Sequence, residues 1–254
     1  METLSKPLEA GTDVTDDAVL GGKLKLLQPA RGHRAGHDAI LLAAAAPKSA
    51  VALDLGAGAG TAGLALLTRG IASQVTFVEV DPHLSELSAE NARRNGFGGK
   101  ASVVCGDIAE SLPIQTDGFD LVLMNPPFTD GETHRASPDE ARARAHVGNE
   151  ETLSLWVSCA VRHLKTNGTL VIIHRPESTL PILKSMEGRF GAIEMIPVFP
   201  KPEAAAIRLI VRAIKGRKTP VTLHPGVTLS TTDGKPSDAA ERILRAGASI
   251  FAEK

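Results

Sequence analysis

Tyrosine is missing from this chain, and tryptophan occurs once in 254 residues. With only seven phenylalanines besides, an aromatic at a mouth-like position such as Phe128 is a significant residue. Cysteine is nearly as scarce. Cys105 and Cys159 stand far apart in apolar contexts, outside any metal-ligand spacing, so the sequence predicts buried reduced thiols and no metal. No apolar run approaches a membrane span, and the N-terminus is acidic and polar, so neither a spanning segment nor a secretory leader is expected and the predicted location is cytoplasmic. An excess of either charge is absent too: 28 basic residues face 29 acidic ones for a net charge of −1. Contacts with nucleic acid therefore depend on local basic clusters rather than on a global field.

What is present is a rhythm of strands and helices. Residues 1–17 read as a polar leader of the kind that lacks fixed structure, and 19–28 as a short hairpin about Gly21-Gly22. A helix is expected over 38–46, stopped by Pro47. Strands at 51–55, 74–80, 101–105 and 119–124 alternate with helices at 61–68 and 82–94. After a long connection over 129–150 come a helix at 151–165 closed by Asn167-Gly168, a strand at 169–174 and a helix at 177–187. Two late strands, 193–199 and 206–214, are suited to antiparallel pairing, and a last helix is expected over 237–250. The pattern predicts a doubly wound, Rossmann-like α/β sheet, mostly parallel with an antiparallel pair near the C-terminus. Residues 18–254 read as one domain with an N-terminal hairpin and helix extension.

The strand 119–124 ends in Asn125-Pro126-Pro127-Phe128. An exocyclic amino group on a base is a weak nucleophile because its lone pair is delocalised into the ring. If the Asn125 carboxamide oxygen and the Pro126 carbonyl each accept one N–H, the nitrogen is drawn toward pyramidal geometry and the lone pair is freed. Phe128 offers a stacking face for the ring. The prolines fix φ without adding a competing N–H, and Asn125, preceding a proline, is held extended.

The first strand of the alternation runs through Asp54 into Gly56-Ala57-Gly58-Ala59-Gly60 and straight into a helix. Gly58, Gly60 and Gly63 also satisfy a dinucleotide-binding pattern, with Glu79 in place for a ribose hydroxyl, so an NAD-dependent oxidoreductase has to be weighed. Asp54 decides against a pyrophosphate and for the cationic methionine end of S-adenosylmethionine. Asp107, closing a third strand, is placed to accept from an adenine amino group. Four strand ends in order then carry a glycine loop, Glu79, Asp107 and the Asn-Pro-Pro-Phe motif, at the edge where open α/β sheets bind ligands.

With these features the chain resembles the class I S-adenosylmethionine-dependent methyltransferases, and over nearly its whole length the bacterial N6-adenine methyltransferases acting on valine tRNA. Further matches are Arg34-Ala-Gly-His37-Asp38, Glu79-Val80-Asp81, Arg142-Ala-Arg144-Ala-His146 and Lys201-Pro-Glu-Ala-Ala-Ala followed by Lys215-Gly-Arg217. The resemblance implies an N-methyltransferase of tRNA, with Asn125, Pro126, Pro127 and Phe128 at the reacting base. The cofactor would be held by Asp38, Asp54, Gly56, Ala57, Gly58, Gly60, Glu79, Val80, Asp107, Ile108 and Asn125. Asp38 also reads as the N-cap of its helix. Arg31, His33, Arg34 and His37 form one cationic cluster, and Arg135, Arg142, Arg144 and His146 another. Of these, Arg34, Arg135, Arg142 and Arg144 are the candidates for RNA phosphates, with Lys215, Arg217 and Lys218 a third group.

Two departures stand out. Phe128 replaces the family's usual tyrosine, leaving guanine N2 open beside adenine N6, and His37 stands where threonine is common. The connection over 129–150 is long enough for a lid that orders on RNA. Protein-glutamine or small-molecule O-methylation, and a noncatalytic RNA-binding role, remain alternatives, as do monomer and homodimer.

Overall fold

The computed structural model describes residues 14–31, 36–127 and 138–251, except the side chains of 138–149. A hairpin of β1 (Val14–Val19) and β2 (Leu24–Pro29) comes first. It starts inside the stretch read as a leader. Its polar residues pair with one another: the Asp17 carboxylate accepts from Thr15 Oγ1 at 2.8 Å and from Gln28 Nε2 at 3.0 Å.

Next come α1 (His37–Ala44), β3 (Ser49–Leu55), α2 (Thr61–Thr68), β4 (Ala72–Glu79), α3 (Pro82–Arg94), β5 (Ala101–Cys105) and β6 (Phe119–Met124). The second half holds α4 (Pro138–His163), β7 (Leu164–His174), α5 (Thr179–Met186), β8 (Phe190–Phe199) and β9 (Arg208–Lys215). Two short strands, β10 (Thr222–Leu223) and β11 (Val227–Thr228), precede α6 (Asp238–Ala240) and a π-helical turn over Glu241–Arg245.

The main sheet has nine strands, in the order β10-β8-β9-β7-β6-β3-β4-β5 with β11 also on β8. Among the described residues only β9 runs against its neighbours there, antiparallel to β7 and β8 as the sequence leads one to expect. The chain winds outward from β3 through β4 to β5, then returns to β6 on the other side of β3. That reversal opens the crevice in which such sheets bind ligands.

Alternation along the strands splits the core in two. Ala52, Phe77, Leu121, Leu123, Val171 and Ile173 face α1 and α2, whereas Leu53, Leu55, Val122, Met124, Leu170 and Ile172 face α4 and α5. Helix α2 lies close on the sheet because Gly63 has no side chain; a Cβ there would sit 2.4 Å from the Phe77 ring. The run from Ala39 to Ala46 is buried throughout. Its small residues allow the C-terminal segment to cover it, with Ile250 N–H donating to the Ala44 carbonyl at 3.0 Å and Arg69 Nε to Gly247 at 2.7 Å.

Four sequence expectations change. The connection after β6 is shorter than 129–150, because α4 already starts at Pro138, where proline followed by Asp139 and Glu140 is a helix-start pattern. Asn167-Gly168 does not end a helix. It lies within β7, Asn167 at φ 64°, where pairing with β6 shifts register between Phe119 and Leu121. The last helix stops at Arg245, well before residue 250, because the chain turns to dock on α1. Cys105, on the edge strand β5, is exposed, and only Cys159 is buried.

The hairpin is held by two asparagines one turn apart on α3. Asn91 accepts from Leu27 N–H at 2.7 Å and donates to the Leu27 and Ala59 carbonyls, both at 2.9 Å. Asn95 repeats the pattern at Lys25, accepting at 3.0 Å and donating at 2.7 Å. Side chains spaced i, i+4 thus complete the backbone bonding of strand residues spaced i, i+2. Asn91 is fully buried, so Asn91→Leu strands one N–H and two carbonyls. Denaturant titration is expected to show a loss of about 2–4 kcal/mol, against a smaller loss for Asn95→Leu, where the residue is only half-buried.

Candidate active site

Strand register brings the site together. Leu55 pairs with Val78 on one side and Met124 on the other. Gly56, Glu79 and Asn125 therefore leave the sheet at one level, and Glu79 pairs with Cys105 just ahead of Gly106 and Asp107. A cleft opens over this edge. Its larger part, about 560 Å³, is lined by Gly56, Gly58, Val78, Glu79, Val80, Leu84, Asp107, Ile108, Asn125, Pro126, Pro127, Leu155 and Trp156. A smaller recess of about 100 Å³ shares Gly56, Gly58, Leu84 and Asn125 and adds Gln28, Asp38, Asp54, Ala57 and Thr61. Val80, 60% exposed, and Leu155, 41% exposed, give the larger part an apolar lip. A wider hollow of about 950 Å³ between the hairpin and the C-terminal segment contains none of the predicted acids or the acceptor motif.

The glycine loop needs its glycines. Gly56, Gly58 and Gly60 have φ of 64°, 57° and 86°, in the left-handed region that side chains disfavour. The Glu79 carboxylate braces the loop, accepting from Gly58 N–H at 2.8 Å with one oxygen and from Asp81 N–H at 3.0 Å with the other. Asp81 caps α3 by accepting from His83 and Leu84 N–H. Asp107 accepts from Ala109 N–H at 2.8 Å and is otherwise exposed.

Asp54 lies at the floor of the recess, where its carboxylate accepts from Gly63 N–H at 2.8 Å. Burial, against the Gly63 bond and with the Glu79 charge adding to it, pushes its pKa up from 3.8 to about 7. Thr61 Oγ1 and Asn125 Oδ1 are both buried without a hydrogen-bond partner among the described residues, and both residues line the recess. Orphaned polar atoms at the wall of a cleft are what a ligand would satisfy.

Several predicted positions are modified. Asp38 is not an N-cap: Gly36 is, because α1 starts one residue early at His37. The Asp38 carboxylate instead pairs with Arg208 Nε at 2.7 Å, brought to this edge because β9 runs antiparallel. Gly60 lines neither part of the cleft; a Cβ there would meet Ser88 and Phe77, so it serves the turn and the packing beneath it. Lys215 lies at the opposite end of β9. It donates to Asp117 Oδ1 at 2.7 Å and to the Val161 and Leu164 carbonyls closing α4, which removes it from the mouth. Arg34, Phe128 and Arg135 fall outside the described residues, and Arg142 and Arg144 belong to α4 with side chains outside them.

The sequence reading missed Trp156, Leu155, Leu84, Thr61 and Gln28. A Cβ on Gly56 would lie 2.2 Å from the Trp156 ring, so the one tryptophan is packed against the glycine loop. Its signal was available in the pairing of a lone tryptophan with an amphipathic helix that returns to the sheet.

The lone tryptophan makes the cleft self-reporting. S-Adenosylmethionine, the cofactor implied by the motifs, is expected to quench Trp156 fluorescence on titration. Gly56→Ala should weaken that binding at least about tenfold, through ring displacement and a left-handed alanine. Asp54 sets a pH dependence. A raised acid favours the folded state fully below its unfolded pKa and loses that contribution as pH rises through the folded one. Between pH 4 and about 7, the cofactor-free protein should therefore lose stability relative to Asp54→Asn by about 1.4 kcal/mol per pH unit. Melting curves across that window check this; parallel curves for the two proteins would refute it.

The methyltransferase small domain model matches residues 35–198. A tRNA1(Val) (adenine(37)-N6)-methyltransferase of Porphyromonas gingivalis is 34% identical over 151 residues, covering 55% of this chain and 58% of that protein. One from Enterobacter is 35% identical over 115 residues, 44% and 46% of the two chains. The chain thus spans roughly half the length of these curated relatives. Among solved structures, a predicted O-methyltransferase of Agrobacterium tumefaciens, protein Atu636, superposes with TM-score 0.70 at 25% identity, over 85% of this chain and 99% of that one. TYW2 of P. horikoshii, in complex with MeSAdo, shares the fold at TM-score 0.55 and 13% identity, over 82% and 74%. The cleft suits a nucleoside with a cationic tail: apolar walls at one end, acids and orphaned oxygens at the other. This chain belongs to the methyltransferase small domain family.

Proposed function

We propose that the protein methylates an exocyclic amino nitrogen of a nucleobase in RNA, with N6 of an adenine in tRNA as the favoured acceptor. The observation that carries this reading is the buried, unpartnered Asn125 Oδ1 at the junction of the two parts of the cleft, followed by two prolines. The names of the relatives give the tRNA its weight, over the part of their length that this chain spans.

In this reading Val80, Ile108, Leu155 and Trp156 enclose the adenine of the cofactor, and Asp107 accepts from its amino group. Glu79 has lone pairs beyond its two backbone bonds for the ribose hydroxyls. Asp54 and Asp38 face the cationic methionine end, and Thr61 Oγ1 serves its polar atoms. S-Adenosylmethionine supplies an electrophilic methyl group carried on a good leaving group. The chain's own residues do the rest. Asn125 Oδ1 and the Pro126 carbonyl accept the two N–H bonds of the acceptor amino group, and its lone pair is then turned toward the methyl. Phe128 provides the stacking face for a base taken out of its helix. No strong base is required, because the amino nitrogen sheds its proton after it has become cationic.

Transfer of labelled methyl to unmodified total tRNA, followed by nucleoside analysis, tests the reading. N6-methyladenosine is expected; N2-methylguanosine would change the base, and no label on RNA would overturn it. Asn125→Ala should cut turnover at least about 100-fold, the scale of losing one preorganised hydrogen-bonding group, while Trp156 fluorescence shows cofactor affinity nearly unchanged. Equal losses of turnover and affinity would remove Asn125 from its role.

A further inference from the structure

Three depressions adjoin one another along the N-terminal hairpin. Gln28 and Gly36 line both the recess that contains Asn125 and the wider hollow of about 950 Å³. Gly21, Glu241 and Arg245 line both that hollow and a shallow dimple at the hairpin turn, to which Lys23, Arg242 and Ala246 also belong. The fold builds the dimple from two segments distant in sequence. A Cβ on Gly21 would lie 2.9 Å from the Arg245 carbonyl oxygen, and Lys23 Nζ donates to the Ala246 carbonyl at 3.3 Å. Lys23, Arg242 and Arg245 are all exposed there. Among the described residues, Glu241 is the one acid lining the dimple, 3.6 Å from Arg245, and Lys23 and Arg242 form no ion pair.

We propose that an unpaired stretch of the acceptor RNA lies along this hairpin track, with bases in the hollow and a backbone phosphate seated at Lys23, Arg242 and Arg245. The direction follows from charge. Asp54, Glu79, Asp81 and Asp107 stand at the ends of β3, β4 and β5 and repel a polyanion from the cofactor half of the edge. Arg208, on the β9 side, is already paired with Asp38. The hairpin carries an exposed cation at each end of β2, Arg31 just past it on the mouth side and Lys23 just before it. Lys23 and Gln28 are five residues apart along an extended strand, about 17 Å, the span of a few nucleotides. Between them the walls set apolar groups of Val19, Ile40 and Leu244 beside the hydrogen-bonding groups of His37 and Ser230, a lining suited to base faces and base edges. Asp17 and Glu241 also line the hollow and keep phosphates off its walls, so the backbone rides outward and meets the dimple. Cations gathered at one place reconcile RNA binding with a net charge of −1.

The track rests on the RNA acceptor proposed above, and binding measured apart from turnover separates the two. Two full-length triple variants change the net charge equally. Lys23→Gln with Arg242→Gln and Arg245→Gln strips the dimple of its cations. Lys48→Gln with Lys100→Gln and Arg162→Gln removes three exposed cations from the opposite edge of the sheet, ahead of β3, β5 and β7. Filter binding of unmodified total tRNA over a salt series is measured for each. The dimple variant is expected to bind about tenfold more weakly, with the slope of log affinity against log salt reduced by about 1.5, the counterions of two phosphates. Its KM for tRNA should rise while kcat, and cofactor affinity from Trp156 fluorescence, are held. The opposite-edge variant should bind as the wild type does. Equal losses in the two variants, or a dimple variant that binds like the wild type, would overturn the track. Should the dimple variant fail to fold, the wild type decides. Photocrosslinking of tRNA substituted with 4-thiouridine is expected to label residues 17–28 or 229–245, and labelling only elsewhere, or none, refutes the track. Binding and crosslinks as expected without methyl transfer would remove the proposed reaction and leave the track. Methyl transfer to tRNA with an unaffected dimple variant would do the opposite.

Discussion

The parallel register of β3 between β4 and β6 is the constraint on which the mouth depends. Side chains alternate along a strand, so a slip of one residue would turn Asp54 away from Gly63 and separate Gly56 from Glu79 and Asn125. The register is fixed from both faces of the sheet at once. Phe77 fills the space above Gly63 on one side, while Leu53, Val122 and Met124 pack under α4 on the other. Glu79 then links adjacent strand ends, since its two oxygens hold Gly58 and Asp81 together. The cleft is thus shaped by backbone donors before any ligand enters.

Electrostatics at this edge oppose the fold. Asp54 is buried beside a second carboxylate with one backbone N–H for company, an arrangement whose ionised form is disfavoured without a cation. Asp38 has its cation already, in Arg208. Two acids that look equivalent in the sequence are therefore in unlike surroundings, one paired with an arginine and the other buried against a backbone N–H.

Much of this was legible beforehand. Helices α2 and α3 and strands β5 and β6 fall at their expected bounds because short apolar runs there are punctuated by glycine, proline or a capping acid. The order of glycine loop, Glu79, Asp107 and Asn125 along one sheet edge follows from that alternation alone. Long-range geometry was not legible. The asparagines of α3 complete a strand over sixty residues away in sequence, and Trp156 reaches Gly56 across the sheet from a helix whose pattern shows only amphipathicity. Lys215 misled because reading a basic run gives no direction. On an antiparallel strand it ends at the far pole, while Arg208, seven positions earlier, ends at the mouth.

Helix α1 is only eight residues long, about 12 Å, and it is fastened at both ends to different parts of the chain. Its first turn holds Asp38 to Arg208, and its last carbonyls receive Ile250 and the Arg69 side chain that also grips Gly247. A rigid rod pinned in this way acts as a lever. Seating of the C-terminal segment and the stance of the Asp38 carboxylate are mechanically in series, so a disturbance at the back of the molecule is felt in the recess without any rearrangement of the sheet between them.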